Sequence, residues 1–167
     1  MDDETLLHVA GGGTPEQHLS RYRLAEPDDE FPAANGFTLQ QRELDFFLMD
    51  ANGYPAVHLN HWGHGNGKEI GPVASLIVAE KYRGKGLGKM LYRALLNAGF
   101  IISSGENHTQ HSIKLYQWLA AQPDIEIVAR DEKNKLHPVE LKNGKLVSDI
   151  PIYGPEEWTT VLVVRKR

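Results

Sequence analysis

The sequence predicts an α/β domain with a mixed, mostly antiparallel central sheet flanked by helices. Three observations predict it. Apolar runs of strand length meet at Asn52-Gly53 and again at Asn143-Gly144, and Asn-Gly readily supplies the backbone angles of a hairpin turn. The β-rich run PVASLIVAE leads through the basic, glycine-rich YRGKGLGK into apolar residues at helical spacing. Finally, strand, helix, strand and helix alternate before more strands close the chain. At 167 residues the expectation is one domain, 1–167, large enough to bury a core without disulfide or metal staples.

Taken in order, residues 1–40 read as a peripheral helix and loop. Thr14-Pro15-Glu16-Gln17 is a helix start, with a capping threonine, a proline suited to the first turn and Gln17 closing a capping box. A short helix is expected over 15–25. AEPDDEFPAANG, acidic and rich in proline and glycine, reads as a loop and a candidate surface lid. ELDFFLMD and YPAVHLN form a hairpin around Ala51-Asn52-Gly53; HWGHGNGKEIG is a glycine-rich loop, and PVASLIVAE is a third strand. Leu87, Leu91, Ala94, Leu95 and Ala98 then mark an amphipathic helix ending at Gly99. FIISS is a short buried strand, and Ser112 to Ala121 a second helix stopped by Pro123. IEIVAR is a strand, PVELKNGKLVSDI a hairpin, and WTTVLVV a closing strand.

Composition narrows the chemistry. Hydrophobic residues are 41% and charged residues 24% of the chain, which fits a packed domain rather than a disordered one. Zero cysteines remove disulfides, thiolate zinc sites and thiol nucleophiles, and suit a reducing cytoplasm. No apolar run approaches the roughly 20 residues of a membrane span, and the acidic start MDDETLLHVAGGG lacks the positive region of a signal peptide. The expectation is a soluble, cytoplasmic, unexported chain. A net charge of -4 argues against broad nucleic-acid binding.

The corner Arg83-Gly84-Lys85-Gly86-Leu87-Gly88 brings backbone amides to a helix N-terminus, where the dipole is positive and glycine lets a ligand approach. Lys81, Arg83, Lys85 and Lys89 add positive charge suited to a pyrophosphate. A Walker loop fails, since it would need glycine where Arg83 stands and a hydroxyl where Met90 stands. The dinucleotide fingerprint fails on spacing, because the glycines fall at Gly84, Gly86 and Gly88.

What fits is Arg83-x-x-Gly86-x-Gly88 after a valine-rich strand, with Tyr82 before the arginine. Here the chain resembles the GNAT superfamily of acyl-CoA-dependent N-acetyltransferases. Their motif A falls at about 73–98, and motif B, at about 100–120, is matched by Ser112-Ile113-Lys114-Leu115-Tyr116 after FIISS. Thr109 and Ser112 stand where the family often has Asn and Ala, and Glu80 where it often has proline. About a third of the chain, residues 73–120, carries the resemblance. It implies a GNAT-like fold whose middle strands splay to admit a pantetheine arm, with acetyl-CoA as acyl donor and no metal. It further implies that Arg83, Gly84, Lys85, Gly86, Leu87, Gly88 and Lys89 hold the pyrophosphate. A backbone amide near Leu76, Ile77 and Val78 would polarise the thioester, and Tyr116 would protonate the departing thiolate.

An amine acceptor with a pKa of about 10.4 must be deprotonated before it attacks. Candidate bases are Glu80, Glu69 and His61, against the ordinary reading of solvated carboxylates and a loop histidine. Ser103 and Ser104 are candidates for the pantetheine amides, with plain exposure as the alternative. His58, His61 and His64 recur at a spacing of three, which does not put them on one strand face, and neither they nor His108 and His111 complete a metal set. Trp62 and Trp118 suit an acceptor pocket or simple packing. The acidic residues at 26–30 would attract a cationic amine or merely be solvated. The functional expectation is transfer of an acetyl group from acetyl-CoA to a primary amine of a protein or small molecule. The alternative is a catalytically silent module of the same fold that binds CoA or a protein. A homodimer is one further expectation, with the C-terminal strand as its edge.

Overall fold

The computed structural model describes residue 19 and residues 27–43, 45–61, 68–71, 73–104, 110–152 and 160–167. The expected helix over 15–25 lies outside them except for Leu19, which is helical and fully buried. Two compact units emerge: Met1–Trp62 with Val73–Ala98, and Gly63–Pro72 with Gly99–Arg167.

In the first unit, β1 (Asp29–Pro32), β2 (Thr38–Arg42), β3 (Asp45–Met49), β4 (Pro55–His61) and β6 (Val73–Val78) form an antiparallel sheet in the order β1-β2-β3-β4-β6. The acidic stretch expected as a loop and lid is therefore partly strand, and residues 38–40, also expected as peripheral helix and loop, belong to β2. Asp29 and Glu30 are exposed positions of β1. Pro32 pairs with Thr38 on the outermost strand, where a missing amide leaves no ladder bond broken. The turn beyond it uses Asn35 and Gly36, both with left-handed φ.

The register gives this sheet two unlike faces. Leu39, Phe46, Leu48, Val57, Leu59, Leu76 and Val78 share one face and are all buried. Helix α1 (Leu87–Asn97) packs against β2, β4 and β6, and its buried Leu87, Leu91, Ala94 and Leu95 supply the matching apolar stripe. Gln40, Arg42, Asp45, Phe47, His58, Asn60, Ser75 and Ile77 share the other face.

In the second unit, β5 (Glu69–Ile70), β7 (Ile101–Ser103), β8 (Ile125–Arg130), β9 (Leu136–Lys142), β10 (Lys145–Ser148) and β11 (Val161–Lys166) form a sheet in the order β10-β9-β8-β11-β7-β5. Among the described residues only β5 and β7 pair in parallel. Strand β5, two residues long, lies in what the sequence suggests is loop. Gly71 belongs there because a Cβ would fall 1.8 Å from Ser103 Oγ and 3.0 Å from the Ser103 carbonyl oxygen. Helix α2 (Gln110–Ala120) packs on β8, β9 and β10 with Leu115, Tyr116 and Leu119 buried. The C-terminal strand, expected as an edge for dimerisation, runs between β8 and β7 instead. Over Leu162–Val164 it is paired on both sides, so that stretch offers no edge.

Candidate functional site

Strand β6 ends its sheet, so alternate amides join the ladder with β4 and the others face outward. Ala79 N donates to Ala56 O at 2.8 Å, and Ile77 faces His58 in the same register. By that alternation the amides of Leu76 and Val78 point away from β4.

Beyond β6 a 3-10 turn, Glu80–Tyr82, leads to the glycine corner. Gly84 and Gly86 have φ of 71° and 73°, left-handed values that side chains rarely adopt. A Cβ at either position would meet nothing within 4 Å, so the loop has open space in front of it. Gly86 caps α1 without a side-chain hydrogen bond, and Met90 N to Gly86 O, at 3.1 Å, is the helix's first backbone bond. The first-turn amides thus lie outside intrahelical bonding. Arg83 Nε, buried at the head of the loop, makes no hydrogen bond. An open left-handed loop, a helix start and a buried arginine nitrogen awaiting an acceptor together fit an anionic ligand.

The corner's cations are not equivalent. Lys81 Nζ lies 4.0 Å from Asp50 Oδ2 and over the rings of Tyr54 and Tyr82, 4.5 and 5.2 Å from their centroids. Lys85 Nζ is 5.8 Å from the Tyr82 ring centre, and Lys89 is exposed on α1.

Asp50 is the residue that sequence reasoning missed. Its Oδ1 accepts the amides of Asn52 and Tyr54, both at 2.9 Å, and its Oδ2 accepts the Tyr82 hydroxyl at 2.6 Å. Burial would raise this carboxyl, but the Tyr82, Tyr54 and Asn52 hydrogen bonds and the Lys81 charge hold it below its ordinary 3.8. The same bond, then burial and the Asp50 charge, push the Tyr82 phenol up to about 12. Aspartate two residues before an asparagine is a local turn signal; its partnership with Tyr82 has no counterpart in spacing.

The polar sheet face carries a second missed group. Arg42 Nη2 donates to Gln40 Oε1 at 2.7 Å, and its guanidinium lies 4.9 Å from the Phe47 ring centre. Phe47 stacks on His58 at 4.5 Å. Asp45 Oδ1 lies 2.9 Å from His58 Nε2 and accepts from Asn60 Nδ2 at 2.9 Å. Burial would raise the Asp45 carboxyl, but His58, Asn60 and the charge of His61 hold it below 3.8. His61 itself is buried at the end of β4, its ring 5.9 Å from that of Phe46. Glu80 is exposed.

The other expected site residues belong to the second unit. Glu69 is held by Arg130, with Oε1 2.7 Å from Nη2. Ser103 Oγ donates to Ile70 O at 3.1 Å, while Ser104 Oγ accepts the Leu162 amide at 2.8 Å. Tyr116 is 2% exposed and Trp118 half-buried on α2. Trp62, His64, His108 and Thr109 lie outside the described residues. Among the described residues no group of three or more His, Cys, Asp or Glu side chains is arranged to hold a metal ion.

The sequence model of the acetyltransferase (GNAT) family matches residues 16–121, a span that includes the corner and α2. No curated protein and no solved structure matches the chain.

Proposed function

The chain belongs to the GNAT acetyltransferase family, and on that premise we propose that it transfers an acetyl group from acetyl-CoA to a primary amine. The observation that carries the reading is the corner itself: two left-handed glycines at a helix start beside a buried, unbonded Arg83 Nε. The amides of 84–88 with Arg83, Lys85 and Lys89 hold the pyrophosphate. Leu76, Ile77 and Val78 line the pantetheine arm, and an outward amide of Leu76 or Val78 stabilises the negative charge that develops on the thioester oxygen. Ser103 and Ser104 are the candidates for the pantetheine amides, although both hydroxyls and the Ser104 amide are bonded within the sheet.

The thioester supplies the activated acyl group. The amine, mostly ammonium at neutral pH, first gives up a proton, for which Glu80, Glu69 and His61 are the candidate acceptors. The C–N bond then forms, the C–S bond breaks, and Tyr116 gives its proton to the thiolate. The family match runs through residues of both compact units, which supports 1–167 acting as one acyltransferase domain. Absence of cysteine suits a reducing cytoplasm, and among the described residues no helix is long and apolar enough to cross a membrane.

The test is transfer from acetyl-CoA to a panel of lysine peptides, polyamines and aminosugars, followed by intact mass and by thiol release. Tyr116→Phe should lower turnover about 100-fold with donor affinity retained. Undiminished turnover would defeat the acid role. Donor binding without transfer to any amine would favour a silent binding module.

A further inference from the structure

The glycine corner is a loop of positive-φ residues with no side-chain cap at its helix, so something must hold it in the conformation that presents its amides. We propose that Asp50 does this through Tyr82, as a positioning residue for the pyrophosphate cradle. The inference rests on the acetyl-CoA reading above. Tyr82 immediately precedes Arg83, and its hydroxyl donates to Asp50 Oδ2 at 2.6 Å across 32 residues of sequence. The other carboxylate oxygen is fixed by the Asn52 and Tyr54 amides, so the aspartate cannot follow the loop if the loop moves. Phe37 meets the Tyr82 ring edge-on at 5.7 Å, and Tyr82 packs against the buried cluster of Leu19, Ile77 and Ala79. Ring and hydroxyl are therefore both pinned.

Asp50 also draws Lys81 toward itself and onto the Tyr54 and Tyr82 rings. Arg83, by contrast, has a buried Nε that makes no hydrogen bond, and with Lys85 and Lys89 it supplies the charge assigned to the phosphate. A short bond to a buried carboxylate is among the stronger hydrogen bonds a protein makes. Held this way, the loop meets its ligand already ordered, and affinity is gained because less freedom is lost on binding.

Two ligands separate positioning from general loosening: CoA, which carries the pyrophosphate, and pantetheine, which lacks it. Their binding to the full chain and to Tyr82→Phe is followed by NMR titration, with amide exchange of Gly84–Gly88 measured in the unliganded proteins. Tyr82→Phe keeps the ring and removes only the hydroxyl. It should weaken CoA about tenfold, leave pantetheine unchanged, and speed exchange in the loop while the interior of α1 stays protected. Asp50→Asn should show the same pattern. Equal CoA affinity in the wild type and Tyr82→Phe would overturn the positioning role alone, as would parallel weakening of both ligands. A wild-type chain that binds neither ligand would overturn the acetyl-CoA reading along with it.

Discussion

Among the described residues Asn-Gly occurs at three hairpin turns, and the two at Asn143-Gly144 and Asn52-Gly53 put it to different use. Between β9 and β10, Asn143 and Gly144 have φ of 52° and 74°, and Lys142 pairs directly with Lys145. That is a two-residue turn set by the dipeptide alone. Between β3 and β4 only Gly53 is left-handed, at 75°. Asp50 O accepts the Gly53 amide at 3.0 Å, and Asp50 N donates to Tyr54 O at 2.8 Å, closing a longer loop. The residue before the turn makes the difference. Lys142 has no acceptor to offer the loop amides, whereas Asp50 takes two of them and uses its second oxygen to reach Tyr82. A turn motif thus fixes the presence of a hairpin, and a neighbouring side chain decides whether the hairpin also organises something distant.

Stability measurements can break this comparison. Asp50→Ala removes the acceptor of three hydrogen bonds at a buried position and should cost about 2–4 kcal/mol in urea unfolding. Lys142→Ala, on an exposed strand end, should stay within about 0.5 kcal/mol of wild type. For the dipeptide the order reverses. Asn143→Ala forces alanine to a φ of 52°, at about 1 kcal/mol, while Asn52→Ala meets no such strain and should be near neutral. Equal costs for the two asparagines would mean that both turns depend on the dipeptide alike.

Titration sharpens a contrast between the two units. The depressed Asp50 carboxyl contributes stability above its ordinary 3.8, lost as pH falls through its lower folded value. The Tyr82 contribution is whole below 10.0 and lost as pH rises toward about 12. The link to the glycine corner therefore holds throughout the neutral range. The second unit has a brace of opposite habit. His137 Nε2 lies 2.8 Å from Asp131 Oδ2 and its Nδ1 2.9 Å from Asp149 Oδ1. The Asp131 hydrogen bond, against the effect of burial and aided by Asp149, raises the imidazole above 6.5. Its contribution is whole below 6.5 and fades as pH rises through the raised folded value, while Asp131, held below 3.8, loses its share only in acid. In unfolding at about pH 5 and about pH 9, Asp50→Asn should cost the same at both, and His137→Gln should cost less at the higher pH. A constant His137→Gln penalty would show that its brace does not depend on the imidazolium.

What the sequence discloses follows the range of the interactions involved. The hairpins at Asn52-Gly53 and Asn143-Gly144, the β6-to-α1 corner and α2 are legible because turn chemistry and apolar period act within a few residues. Strands β1, β2 and β5 are hidden. Asp29, Glu30 and Pro32 look like loop until β2 pairs with them, and β5 is only two residues held by β7 and a close glycine at 71. The pairs Asp50 with Tyr82 and Asp45 with His58 join positions 32 and 13 residues apart, and no periodicity marks them. Glu69 reads as a solitary carboxylate until the fold brings Arg130 to it.

The most direct test of the account is calorimetric titration of acetyl-CoA into the wild-type chain and into Gly86→Val, whose side chain has room but must adopt a left-handed φ of 73°. The account predicts saturable one-site binding to the wild type and an affinity at least about tenfold lower for Gly86→Val with α1 still formed. No binding to the wild type, or equal affinity in the two proteins, would contradict it.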